Sequence, residues 1–244
     1  MIYFFSTYNT KNYFIIYLII LNNRNSLIEQ ILNFKTYSQF YEDLILFYVF
    51  HNVKNGFYID IGANDPNIIS VTKSFYLRGW NGINIEPLPD KYNSLLSFRP
   101  KDINLKIGVG KNKGNATLYL SGTGSTMKKK YSQNKNKTLH IIIDTMENVC
   151  KEFVEKDKEI HFCKIDVEGE EKNVLLGYDF EKCRPKVFLI ESTLPGTGIP
   201  CHDEWESLLL KNNYSFIYQY KINRFYIDNK IRNLDKKFLN IYLK

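Results

Sequence analysis

Four acidic residues, Asp60, Glu86, Asp166 and Glu191, stand at or beside the ends of short apolar runs. Carboxyl ends of parallel strands are where open α/β sheets bind ligands, so four such residues point to one shared site. The first turn reads Asp60-Ile61-Gly62-Ala63-Asn64-Asp65. Gly62 allows a tight turn, but Asn64 and Asp65 stand where a dinucleotide site has the glycines that admit a pyrophosphate. Acidic groups there repel phosphate and suit a cationic amino-acid end. Glu86 follows Gly62 by 24 residues, at the end of the next apolar run, where a carboxylate can accept both ribose hydroxyls. A ribose at one end and an ammonium or sulfonium at the other describe S-adenosylmethionine, and the missing glycines count against a dinucleotide.

The elements that must position these residues alternate. Gly56–Gly62, Gly82–Glu86, Ile103–Val109, Ile160–Asp166 and Lys186–Glu191 read as buried strands. Between them lie helical stretches over 70–78, from Pro89, over Met146–Val154, over Glu168–Leu176 and over Glu204–Leu210. Ser38 can cap an earlier helix that carries Leu44, Ile45, Phe47, Tyr48 and Phe50. Ala116–Leu120 and Leu139–Ile143 read as strands around a polar loop. Its lysine-rich part, Lys128–Lys137, reads as mobile. Tyr214–Tyr220 and Phe225–Ile227 close the chain as an antiparallel pair. The alternation predicts an α/β fold with a mostly parallel sheet, helices on both faces and antiparallel strands at one edge.

Composition bounds the partners. The chain has 244 residues, 44% hydrophobic, which suits one domain with an appendage. Its net charge is +7. Lysine enrichment accounts for that charge, and no finger, arginine-rich or RNP-type motif points to nucleic acid. Cys150, Cys163, Cys183 and Cys201 form no C-x-x-C pair, which excludes a zinc ribbon and fits a reducing cytoplasm. The apolar run Tyr13–Leu21 has nine residues, short of the ~20 that span a bilayer. Residues 1–35 are therefore expected to be a variable appendage packed on the domain, with membrane contact the lesser alternative. Residues 36–228 form the expected domain and 229–244 a basic tail.

The chain resembles the FkbM-type methyltransferases, a branch of the S-adenosylmethionine-dependent Rossmann-like enzymes. The resemblance runs over residues 38–228. It rests on Ser38-Gln39-Phe40-Tyr41-Glu42-Asp43, Gly56 to Pro66, Ser70-Val71-Thr72-Lys73, Arg78 to Pro87 and Arg99 to Leu105. It continues in Lys164-Ile165-Asp166-Val167-Glu168-Gly169, Ile190-Glu191-Ser192-Thr193 and Asn223-Arg224-Phe225-Tyr226. Phe40-Tyr41 departs from the family's more usual aromatic followed by glycine. The resemblance implies methyl transfer to an oxygen of a sugar or secondary metabolite. It implies that Asp60, Gly62, Asn64 and Asp65 surround the methionine end and that Glu86 holds the ribose. Asp102 and Ser125 are then expected near the adenine or the acceptor.

An alcohol is a poor nucleophile at neutral pH, so a base or a metal is expected. His202, just beyond the Glu191 strand, is the candidate base, with Asp166 as the second catalytic candidate. Asp166, Glu191 and His202 together offer the oxygen and imidazole ligands that suit magnesium or manganese. Otherwise Asp166 orients the acceptor and Glu168 caps the next helix. Lys73 and Arg224 are candidates for anionic groups of the acceptor, and His161 reads as structural. The expectation is a cytoplasmic O-methyltransferase acting on a carbohydrate or glycosylated precursor. A methyltransferase of a small metabolite or lipid and a non-catalytic binding module remain as alternatives.

Overall fold

In the computed structural model the described residues are 25–121, 124–132, 134–236 and 238. The run Tyr13–Leu21 lies outside them. Seven strands form the main sheet, in the order β3-β2-β1-β7-β8-β10-β9. They are β1 (Phe57–Ile61), β2 (Asn81–Ile85), β3 (Ile103–Leu105), β7 (Ile160–Ile165), β8 (Pro185–Glu191), β9 (Tyr214–Tyr220) and β10 (Asn223–Asp228). The first five pair in parallel, and β10 runs antiparallel to both β8 and β9. The expected mostly parallel α/β sheet with an antiparallel edge is the observed one.

The strands at the centre carry apolar side chains on both faces, as a covered parallel sheet requires. Tyr58, Phe162, Val187, Leu189 and Phe225 belong to one buried cluster. Their neighbours Ile59, Cys163, Phe188, Ile190 and Tyr226 belong to the other. The first cluster is covered by α1 (Asn25–Leu32), α2 (Glu42–Phe50) and α3 (Lys73–Leu77). Helices α5 (Met146–Phe153), α6 (Glu171–Leu176) and α7 (Glu206–Lys211) cover the second. Helix α4 (Pro89–Phe98) opens with its proline at the first turn, where no N–H is needed. No helix among the described residues is long and apolar enough to cross a membrane.

Several local readings change. Every residue of α2 is buried, its first-turn Glu42 and Asp43 included, so no face of this helix is left to solvent. Ser38 is not its N-cap residue, although the Ser38 hydroxyl accepts from the first-turn Asp43 N–H at 3.4 Å. The N-cap position is Tyr41, at φ 65°, and the Ser38 hydroxyl donates to Asp43 at 2.7 Å. Asp43 is fully buried, and it also accepts from Thr36, the Tyr37 N–H and Ser74, fastening the approach segment to α3. Glu42 accepts from the Phe40 N–H and the Asn223 amide, which ties α2 to β10. The stretch Ile103–Val109 is two strands. β3 ends at Leu105, and β4 (Gly108–Val109) joins β5 (Gly114–Tyr119) and β6 (Thr138–Asp144) in a second sheet, ordered β4-β6-β5.

Leu27, Ile31 and Phe34, inside the expected appendage 1–35, are buried in the first core cluster. Leu234 and Phe238, inside the expected tail, join the same cluster. Cys150 and Cys183 are joined by a disulfide, while Cys163 and Cys201 are free and buried. The four cysteines are therefore not all the thiols that a reducing compartment would keep.

Candidate active site

A cleft of about 430 Å³ opens beyond the carboxyl ends of β1, β2, β7 and β8. That is where a doubly wound sheet binds its ligands, and the volume lies in the usual range for small-molecule sites. The ends of β1 and β7 are drawn together. Asp166 donates its N–H to the Ile61 carbonyl at 3.1 Å, and a Cβ on Gly62 would stand 1.9 Å from the Asp166 carbonyl oxygen. Only glycine fits, and its φ of +75° belongs to the left-handed region that glycine tolerates. The N–H groups of Gly62 and Ala63 both donate to the Ile85 carbonyl, binding this turn to the end of β2.

Glu86 follows β2 immediately. Its carboxylate accepts from the Asn64 N–H and the Leu88 N–H, both at 2.8 Å, so it faces the cleft in a fixed orientation. Burial pushes its pKa up, against the pull of those two N–H groups. Asn64 holds φ 50°, and its side-chain oxygen is buried without a hydrogen-bond partner among the described residues. Asp65 accepts from the Asn67 and Ile68 N–H groups and from Lys91 at 3.1 Å. Burial opposes ionisation there, but these donors hold Asp65 below the usual carboxylate range.

Lys164, on β7, is the cation at the centre of the floor. Its Nζ donates to the Gly62 carbonyl at 2.7 Å and lies 3.3 Å from Asp60 and 3.4 Å from Asp166. Burial would lower its pKa, yet the two carboxylates raise it, so the ammonium stays charged. Asp60 sits behind this lysine. It is 1% exposed, accepts from Thr72 at 2.9 Å and does not line the cleft.

The loop after β7 carries the acidic cluster. Oxygen atoms of Asp166, Glu168 and Glu191 lie within 4.8 Å of one another, and all three residues line the cleft. Glu171, 2% exposed beneath the loop, accepts from the N–H groups of Val167 and Gly169. Glu168 does not cap the following helix as expected: the N-cap position is Glu170, with no side-chain hydrogen bond, and Glu168 lines the cleft. Glu168 holds φ 53°. Above the loop, Thr126 donates to the Glu168 carbonyl at 2.7 Å and Lys128 to the Gly169 carbonyl. Part of the lysine-rich segment expected to be mobile is therefore stitched to the site. Burial, Asp166 and Glu171 push Glu168 up to about 7. Burial, followed by Asp166, Glu168 and Glu171, pushes Glu191 up to about 10.

Of the expected cofactor residues, Gly62, Asn64, Asp65, Glu86 and Ser125 line the cleft. Asp102 does not. It accepts from the Tyr58 hydroxyl at 2.6 Å, the Gly82 N–H and the Asn84 amide, with Arg99 3.9 Å away. It is an internal anchor, and Arg99 passes its support to the turn by donating to the Pro66 carbonyl at 2.7 Å. His202 does not line the cleft either. It opens a short 3-10 turn beside Asp203, and among the described residues Glu168 takes its place with Asp166 and Glu191. Lys73 is bound to Asn67 and Arg224 to Glu206 and Tyr226, so neither waits for an acceptor. His161 accepts from the Phe57 N–H at the opposite end of β7 and is structural.

Sequence reasoning missed Lys164 as a functional residue. Its signal was present, since a lysine inside an otherwise apolar buried strand needs anionic partners. Lys91 and Gln39, also cleft residues, carried no such signal.

A doubly wound sheet with a glycine turn after β1 and a carboxylate after β2 defines the Rossmann-like α/β class. Residues 60–216 match the family model described as the methyltransferase FkbM domain, and the chain belongs to that family. Among solved structures, the methyltransferase FkbM from Methylobacillus flagellatus KT is similar over 89% of this chain and 58% of its own, with a TM-score of 0.44 and 12% identity. The chain thus spans little more than half the length of that protein. No curated protein matches the chain.

Proposed function

We propose that the protein transfers a methyl group from S-adenosylmethionine to a hydroxyl of a carbohydrate or glycosylated precursor. The observation that carries this reading is that Glu86 and the Asp166–Glu168–Glu191 cluster line one cleft. When bound, the cofactor supplies a methyl group already activated on a sulfonium, so this chain has to align the acceptor and deprotonate it.

Residues suited to the cofactor line one side. Glu86 accepts the ribose hydroxyls, the unpartnered Asn64 side-chain oxygen accepts from the methionine ammonium, and Ile85, Ile107, Val109 and Leu118 give the adenine an apolar slot. On the other side Asp166, held by Lys164, accepts a hydrogen bond from the acceptor and orients it. Glu168 is the base, with a pKa near the operating pH where proton transfer is most efficient. His202 stands away from the expected Asp166 and Glu191 ligands; Asp166, Glu168 and Glu191 would hold a divalent cation through oxygen alone, and no step of this reading is assigned to one. The Cys150–Cys183 disulfide counts against the reducing cytoplasm expected from the sequence, so no compartment is part of this reading.

Incubation with methyl-labelled S-adenosylmethionine and a panel of sugars, nucleotide sugars and glycans tests it. The expected product is a labelled sugar ether, stable to mild base. Cofactor binding without transfer to any acceptor would indicate a binding module. Tight binding of a dinucleotide in place of S-adenosylmethionine would remove the cofactor reading.

A further inference from the structure

The cleft is far more acidic than the chain around it. Its ionisable lining comprises Asp65, Glu86, Asp166, Glu168, Glu191, Lys91 and Lys164, in a chain of net charge +7. Lys91 is taken by Asp65, at 3.1 Å. Lys164 is shared between Asp166 and the submerged Asp60. Among the described residues no lysine, arginine or histidine forms an ion pair with Glu168 or Glu191. Glu191 is 8% exposed and lines the cleft; its carboxyl also interacts with Asp166, and its Oε2 has no hydrogen-bond partner among the described residues. A buried polar atom in that state costs about 1–3 kcal/mol unless a ligand satisfies it. A neutral hydroxyl can donate one hydrogen bond, whereas an ammonium donates three and brings the charge that lets neighbouring carboxylates ionise together.

We infer that the acceptor carries a protonated amine, seated between Glu168 and Glu191 and next to the hydroxyl that Asp166 orients, so that the substrate class is an amino sugar. This rests on the proposed methyl-transfer reading and narrows its acceptor. An N-acetylated sugar loses the charge and all but one of the donors. A phosphorylated sugar can enter only if its phosphate stays outside the cluster, because two carboxylates without a cation repel it.

The test is ligand-observed NMR titration of glucosamine, N-acetylglucosamine and glucose into the full chain, with and without saturating S-adenosylhomocysteine. Glucosamine is expected to bind at least about tenfold more tightly than either neutral sugar, as charge-assisted hydrogen bonds are roughly twice as strong as neutral ones. Glu191→Gln and Glu168→Gln should each remove most of that preference, with unchanged melting curves establishing that both variants fold. Equal affinity for the three sugars would overturn the inference, as would a preference that survives both substitutions. Magnesium chloride alone is the remaining arm. If magnesium binds the wild type and is lost in both variants while glucosamine shows no preference, the cluster is a metal site and the amine is excluded. Failure of S-adenosylhomocysteine to bind would strike the cofactor reading, whereas the sugar comparison in its absence still decides the amine.

Discussion

Glu86 shows how a carboxylate is made ready for one ligand. The N–H groups of Asn64 and Leu88 take one oxygen each, which fixes the plane of the group and leaves a lone pair on each oxygen facing the cleft. Glu86→Ala should weaken S-adenosylmethionine by about 2–4 kcal/mol, the value of two hydrogen bonds to a charged acceptor less what water restores. Calorimetry on wild type and variant measures it, and equal affinities would take Glu86 out of the site. Glu168 makes a prediction with a sign. Its pKa of about 7 lies above the ordinary glutamate value, so the proposed base is protonated and idle at low pH. The rate should rise with pH to a plateau, half-maximal near 7. Glu168→Gln should cost about 10²–10⁴-fold and abolish that titration while leaving cofactor binding intact. His202→Ala should leave turnover unchanged, which reverses the role that its position after the Glu191 strand suggested. Residue types at strand ends were legible in the sequence, because parallel sheets put ligands there. Which carboxylate of a dense acidic run faces the cleft was not. That choice depends on the left-handed turn at Glu168 and on Glu171 taking the loop's N–H groups.

At the scale of elements, the meeting of β1 and β7 decides whether a cleft forms at all. Their ends come within contact only because residue 62 has no side chain. Gly62→Ala adds left-handed strain and a clash with a backbone oxygen, together about 2–5 kcal/mol. A chemical denaturation midpoint measures the loss. A variant as stable as the wild type would show that the two strands can part cheaply. The five parallel strands and their helices were readable from apolar runs bounded by turns. The stretch Ile103–Val109 looked like one strand, because apolar content continues through it. Its break after Leu105 comes from pairing, since β3 follows β2 in the main sheet while β4 follows β6 in the other. Pairing across sequence distance has no local signature, and for the same reason Asp102 passed as a site residue. Its three donors come from β1 and β2, not from its neighbours in sequence.

For the whole molecule, the boundary of the folded unit reaches further toward the N-terminus than residue 36. Leu27, Ile31 and Phe34 each bury a large apolar side chain, together worth about 5–9 kcal/mol at 1.5–3 each. That is comparable to the stability of an entire domain. A chain starting at residue 36 should therefore melt far below one starting at residue 25, or fail to fold, as circular dichroism would show. Equal melting would place these residues outside the cooperative core. The small second sheet stands on another footing. Its own buried cluster is Leu118, Ile141 and Ile143, against more than twenty residues in each cluster of the main sheet. Yet this sheet gives part of the cleft wall, and the segment between β5 and β6 supplies the Thr126 and Lys128 stitches. The molecule is thus a stiff floor under a loosely moored awning. Native-state hydrogen exchange should find the amides of β5 and β6 opening well before those of β1 and β7, because opening free energy follows buried contact density. If so, a product can leave by lifting the awning while the floor beneath, with Glu86 and the Gly62 turn, never changes shape.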